Sequence, residues 1–298
     1  MADRPAGMDH AHYAFRRITD APWFDWPGGA RIAFTVTVML DVWEVDPPEG
    51  SNRDPRLVSP LGNFFPDWLT WSQREYGARV GIFRVLDVLD AFGIRPSVAL
   101  GGAAALRYPE LVDEFLRRGA CFMAHGMFAT RRITSSLAES EERALIAESR
   151  AAVRTATGIT PAGWCGQDFN ESARTPALLA EAGFTYTTDW ANDDRPYLLG
   201  PYNGRTLVAL PPQPEWNDLE CMGLRRVSAP IWSEGIIEGF RFLQEEGSAV
   251  FNLTLHPFVA GQAHRIRYLR EALSHVLGLR GVWRATTDEV ATTAASML

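Results

Sequence analysis

The chain alternates short apolar runs with amphipathic helical segments along most of its length, and that alternation leaves few architectures open. Residues 31–40 (RIAFTVTVML) form a β-branched and aromatic run between Gly28-Gly29 and a polar DVWE, long enough for a buried strand and too short for a helix. Residues 79–92 repeat apolar side chains at helical spacing and stop at Gly93, a C-cap signal; 96–100 then reads as a strand. A second amphipathic helix over 109–118 ends at Gly119, before a strand over 121–124. The unit recurs as a helix over 137–157 ending at Gly158, a strand over 161–165, a helix over 175–182 and a strand over 186–188. Helices over 231–246 and 266–277 flank a strand over 249–255, and a last strand covers 281–284. Repeated βα units of this kind place a parallel sheet inside and helices outside, either open or closed into a barrel. Residues 1–28, rich in Pro, Asp and aromatic side chains, read as an arm over the surface, its aromatics buried against the body or a neighbouring subunit. Residues 29–298 read as one domain, with an irregular Pro/Gly/Asn stretch over 47–71.

Composition removes several chemistries. All 29 basic residues are arginine, so neither a lysine Schiff base nor a phosphate-loop lysine is available. The net charge of -7 argues against a nucleic-acid or anionic-membrane surface and for a small-molecule substrate. Three cysteines without a CxxC pair suggest neither a disulfide framework nor a structural zinc site, and the N-terminus shows no secretory apolar core. A reducing, cytoplasmic setting is expected.

Polar residues of catalytic type fall at strand ends. Asp41, His125, Asp189 and His256 each follow a short apolar run, the place where a βα barrel assembles its active site. Asp can equally cap a following turn, so the two histidines carry more of this pattern; Gly126 and Pro257 end their strands abruptly. His10 and His12 lie in the arm, and His264 and His275 in or beside the last amphipathic helix, where solvation is expected. Cys165 also follows a strand, but no adjacent base is visible to make it a thiolate. The matching groups are Asp41 as general base toward water, His256 as general acid toward a leaving nitrogen, and His125 as ligand or electrostatic partner.

At these residues the chain resembles the polysaccharide deacetylase (NodB-homology) superfamily, and within it the cytosolic allantoinase-like and cyclic-imidase-like branch. The resemblance spans roughly 20–290 and rests on MLDVWE, REYGARVGIFRVLDVLDAFGI, MAHG, GWCGQ, TDWANDDRP, PEWND and LHP followed by AHRIRYL, in that order. It implies a distorted (β/α) barrel of about seven parallel strands that hydrolyses C–N bonds of amides. Asp41 matches the first acidic residue of the TFDDG motif, the catalytic base of that family. Val42 then stands where related chains have a second Asp or a Glu. His125 matches the first His of the HxxxH metal pair, with Ala129 at the second position. His256 matches the late histidine that acts as general acid, and Gly163-Trp164-Cys165-Gly166 replaces the arginine-containing turn that steadies the base.

With two of three metal ligands gone, no metal cofactor is expected. The alternative is a zinc or other divalent site rebuilt on Asp41 and His125, with Glu44 or Asp189 swinging in. Without a metal, the oxyanion needs other donors, for which backbone N–H groups, His125 as imidazolium and the Trp164 indole are the candidates. Activated ring amides, imides and ureides suit such a site. Trp43, Trp68, Trp71, Trp164, Trp190 and Trp216, read as loop residues near strand ends, could stack on a flat ring, although burial is the ordinary fate of Trp. Glu44, Trp164, Asp189, Trp190, Glu215, Asn217 and Asp218 are the expected substrate contacts. A metal-dependent carbohydrate N-deacetylase and a non-catalytic binding protein on the same barrel are the competing readings. Related cytosolic chains and the aromatic arm suggest a homo-oligomer, dimer or tetramer.

Overall fold

A computed structural model of the chain describes residues 7–47 and 66–298. Most of the stretch read as irregular, 48–65, and the first six residues of the arm lie outside the described residues. The strands are β1 (Ile32–Leu40), β2 (Ser97–Leu100), β3 (Cys121–Ala124), β4 (Gly163–Trp164), β5 (Tyr186–Thr187), β6 (Tyr197–Tyr202), β7 (Arg205–Ala209), β8 (Ala249–Leu255) and β9 (Val282–Arg284). They form one sheet in the order β6-β7-β5-β4-β3-β2-β1-β8, and every pairing is parallel except β6 with β7. Among the described residues, eight strands run parallel, β8, β1, β2, β3, β4, β5 and β7 side by side with β9 against β1, close to the seven or so that the resemblance implies. β9 shares an edge of β1 with β2, taking 32–34 while β2 takes 37–40. The β6–β7 hairpin and the very short β4 and β5 make this a distorted half-barrel rather than a regular one.

The helices follow from apolar spacing. α1 (Trp68–Tyr76) runs through a π-helical turn (Gly77–Gly81) into α2 (Ile82–Ala91), which buries Ile82, Val85, Leu86 and Leu89 on one face. α3 (Gly102–Arg107), α4 (Pro109–Arg117), α5 (Glu139–Thr157), α6 (Thr175–Ala182), α7 (Ala229–Glu246), α8 (Pro257–Ala260), α9 (Ile266–Val276) and α10 (Thr287–Ala295) complete the outer layer. Four of these, α1, α3, α8 and α10, lie outside the sequence expectation. α1 is started by Asp67, whose carboxylate accepts the Thr70 N–H, so Trp68 and Trp71 sit on a helix and not in a loop. α10 opens with a Thr286/Glu289 capping box, a signal present in TTDE but attached to too few apolar residues to be read as a helix. None of the helices described is long and apolar enough to cross a membrane.

The arm is held in part by burial. Phe24 and Trp26 stack on each other and are almost fully covered; the Trp26 indole donates to the Ala249 carbonyl and the Phe24 N–H to Ser248 Oγ. The open seam of the sheet lies beside β8, which has β1 on one side and, among the described residues, no strand on the other. Its buried edge is satisfied piecemeal. The Val250 N–H donates to the Asp194 carbonyl, the Gln213 Nε2 donates to the Val250 carbonyl, and the Gln213 Oε1 accepts the Asn252 N–H. One side-chain amide thus takes the place of a peptide unit in the ladder. Gln213→Leu would strand two buried backbone groups, and we expect urea unfolding to show a loss of about 2–4 kcal/mol. A loss below about 1 kcal/mol, the size of one ordinary hydrogen bond, would remove this role from Gln213.

Candidate active site

Asp41, His125 and His256 leave the C-terminal ends of β1, β3 and β8 and line one cavity. Trp43, Phe169 and Phe258 wall it, and Gln167, Asn217 and the Arg132–Asp168 ion pair (2.9 Å) supply further polar groups. Asp168 and Phe169 are both in the left-handed backbone region (φ 57° and 55°), which turns this loop sharply under the cavity.

His125 is buried, and its Nδ1 lies 2.6 Å from the Cys165 carbonyl. A carbonyl can only accept, so Nδ1 carries the proton and Nε2 points its lone pair toward Asp41 Oδ2, 3.9 Å away. Burial pushes the His125 pKa below the ordinary histidine value, against the opposing pull of Asp41. The Gln167 side-chain amide donates to the His125 carbonyl and fixes the residue from the other side.

His256 is held differently. Its Nδ1 lies 2.7 Å from Asp218 Oδ1, and the same fully buried carboxylate accepts the backbone N–H groups of His256 (2.8 and 2.9 Å) and Ala260 (3.1 Å). Burial pushes the His256 pKa down, but the charge and hydrogen bond of Asp218, with Asp41 and Asp168 beyond, override it and hold the value above the ordinary one. With Nδ1 on Asp218, Nε2 is the ring nitrogen left to face the cavity, and it donates there when the ring is protonated. Behind it, Gly77 and Gly81 of the π-helical turn press on Phe258 and Pro257; a side chain at Gly81 would run into the Pro257 carbonyl.

The other expected contacts separate. Asn217 lines the cavity, while Asp218 orients the acid instead of meeting substrate. Trp164 is corrected: its ring is buried in the core edge-on to Phe184, and it does not line the cavity. Glu215 is exposed and meets Cys221 only through its carbonyl. Trp190 packs on His10, His12 and Tyr13 of the arm and donates to Glu171. Asp189 is buried behind Gly166, whose N–H it accepts at 2.8 Å, and burial pushes its pKa up to about 7 beside Glu171. Trp216 stacks on Phe251 in the core. Of the six tryptophans, Trp43 alone lines this cavity. Cys165 is a buried thiol whose pKa burial raises steeply, which leaves no thiolate for nucleophilic attack.

The donor set does not fit the family's metal. Among the described residues no group of three or more His, Cys, Asp or Glu could hold an ion. Glu44 is taken by Thr130 (2.5 Å) and Arg131 (2.5 Å), and Asp189 by Gly166, so neither completes a site with Asp41 and His125.

No family model and no curated protein matches the sequence. Solved structures do. A protein of Mycobacterium smegmatis assigned as a polysaccharide deacetylase is 26% identical, with TM-score 0.77, over 93% of this chain and 94% of that one. The fold is therefore similar to that of solved polysaccharide deacetylase-like structures. The Puue allantoinase aligns with TM-score 0.81 at 23% identity over 93% of this chain and 95% of its own. A Pseudomonas aeruginosa protein assigned to the polysaccharide deacetylases gives 0.80 at 23%, over 92% and 94%.

Of the residues the sequence singled out, Asp41, His125, His256 and Asn217 share this cavity; Gln167, Arg132 and Asp168, which also line it, were not anticipated, and Asp218 meets His256 where a substrate contact was expected. GWCGQ and PEWND contained Gln167 and Asp218, without a spacing that reveals what they face. Asp218→Asn should lower the His256 pKa in an NMR titration by about one unit or more, the size of a lost close carboxylate. The stability that this pair contributes is complete below the unfolded pKa of about 6.5 and lost as pH rises through the higher folded value. The wild-type advantage over the variant should therefore be widest in mild acid. Native protein should resist iodoacetamide at Cys165 at neutral pH and react once unfolded.

Proposed function

We propose that the chain hydrolyses the C–N bond of a small cyclic amide, imide or ureide without a metal, with Asp41 as base and His256 as acid. The observation that carries this reading is the convergence of Asp41 and the Asp218-held His256 on one cavity from adjacent parallel strands. Structural relatives named as deacetylases and an allantoinase agree with amide hydrolysis. The apolar wall of Trp43, Phe169 and Phe258 suits a flat ring better than a hydrated polymer. Three buried free thiols support a reducing compartment.

Two bare acceptors, Asp41 Oδ2 and His125 Nε2, stand 3.9 Å apart, a span over which one water can donate a hydrogen to each. Such a water turns a lone pair toward the substrate. Asp41 takes one proton as the oxygen–carbon bond forms, and the carbonyl pair moves onto oxygen. Collapse restores the carbonyl and breaks the C–N bond, and the departing nitrogen takes the proton of His256 Nε2. Solvent-mediated transfer from Asp41 to His256 resets both groups.

The test is a screen of the purified protein, with and without chelator, against hydantoins, succinimide- and phthalimide-type imides, allantoin and an N-acetylated sugar oligomer. Ring opening of at least one cyclic amide should survive chelation. Asp41→Asn should lower it by about 10²–10⁴-fold at an unchanged melting temperature. Turnover of the sugar oligomer alone, or activity abolished by chelator, would overturn the proposal.

A further inference from the structure

Attack on a carbonyl without a Lewis acid leaves the oxyanion in need of a donor, and the cavity holds one that no other part of the fold uses. Asn217 is only 3% exposed and lines the cavity with Asp41, His125 and His256. Its Oδ1 accepts the backbone N–H groups of Leu219 (3.0 Å) and Glu220 (3.2 Å) at the start of the π-helical turn Leu219–Leu224. Both are donors, so the amide can sit in only one orientation, with the NH2 group away from the turn. That Nδ2 has no hydrogen-bond partner among the described residues. Fixed in orientation and open to the cavity, that N–H is available to an acceptor atom of a bound ligand.

Of the other donors around the cavity, the Trp43 indole N–H is unpaired among the described residues but sealed from the cavity surface, and the rest are committed. Trp164 faces the core, His125 spends its single neutral-form proton on the Cys165 carbonyl, and Arg132 is paired with Asp168. His256 must keep its Nε2 proton for the leaving nitrogen.

We propose that Asn217 Nδ2 is the oxyanion donor of the amide hydrolysis inferred above, a proposal that rests on that reading. As water adds and the carbonyl electron pair moves onto oxygen, that oxygen accepts a hydrogen bond from Nδ2. When the pair returns and the C–N bond breaks, the bond relaxes, so its strength is greatest at the tetrahedral stage. Asn217 and Asp218 are consecutive, so one turn fixes both the oxyanion donor and the orientation of the acid.

Asn217→Ser keeps a side-chain acceptor for the turn but is too short to reach the substrate, and Asn217→Asp keeps the acceptor and replaces the donor. On a ring substrate that the wild type opens, both should lower kcat by about 10²–10³-fold with little change in KM. In Asn217→Ser the pKa of His256 should stay where it is, which separates lost oxyanion support from a disturbed acid. A folded Asn217→Ser with wild-type kcat, or with only KM raised, would overturn the assignment and leave the hydrolase reading standing. Wild type that opens no ring amide would remove both. Independently of any variant, a crystal structure with a tetrahedral phosphorus analogue of the opened ring should place a phosphoryl oxygen within hydrogen-bond distance of Asn217 Nδ2. Finding that oxygen elsewhere would also overturn it.

Discussion

The unpaired edge of β8 is the constraint from which the site follows. A buried strand with no neighbour on one side must find partners for each N–H and C=O, because unpaired backbone groups in the interior are costly. Here they come from the Asp194 carbonyl, the Gln213 amide and, at the end of the strand, the Asp218 carboxylate, which accepts the His256 N–H. The last of these also holds the imidazole. Closing the seam and orienting His256 are therefore one set of hydrogen bonds, and this histidine stands where the barrel would otherwise be weakest.

A second constraint fixes the segment that follows. Pro257 and Phe258 lie against the π-helical turn between α1 and α2, and contact is possible only because Gly77, Gly81 and Gly261 carry no side chain. Arg84 bridges the same junction to the Gly261 carbonyl at 3.0 Å. The acid is thus held from the seam on one side and from a helix irregularity on the other. Asp41 lacks such support: among the described residues no side chain hydrogen-bonds it, and His125 Nε2 stands 3.9 Å from its Oδ2. The arginine-containing turn that would have steadied it is GWCG here, which sends a backbone carbonyl to His125 instead.

How much of this was legible in the sequence depended on the distance over which each feature is encoded. β1, β3, β8 and the helices α2, α4 and α5 are written locally, by apolar runs, helical period and a terminal glycine, and the strand ends bring Asp41, His125 and His256 to one cavity. β6 and β7 were missed because their burial alternates imperfectly around Gly200-Pro201, which breaks the period. Gln213 and Asp218 act on residues nearly forty positions away, through single side chains with no periodic signature. Tryptophans misled for a physical reason. A large ring next to a strand end can face the cleft or fill the layer beneath it, and burial of apolar area favours the second, as at Trp164 and Trp216.

The departures at Val42 and Ala129 also have a structural reading. Removing two ligands from a three-ligand cluster strips negative and nucleophilic groups from around Asp41 and His125, but it leaves those two facing one another as acceptors. A carboxylate and a bare imidazole nitrogen in proximity repel unless a donor lies between them. Protonating His125 would relieve this at the cost of a buried charge, which its surroundings resist. A water donating to both needs no buried cation and uses the existing tautomer set by Cys165. In the metal-free hydrolysis proposed above, stabilisation of the oxyanion falls to preorganised dipoles, and Asn217, one residue from the carboxylate that holds His256, presents a rigidly oriented amide N–H to the cavity.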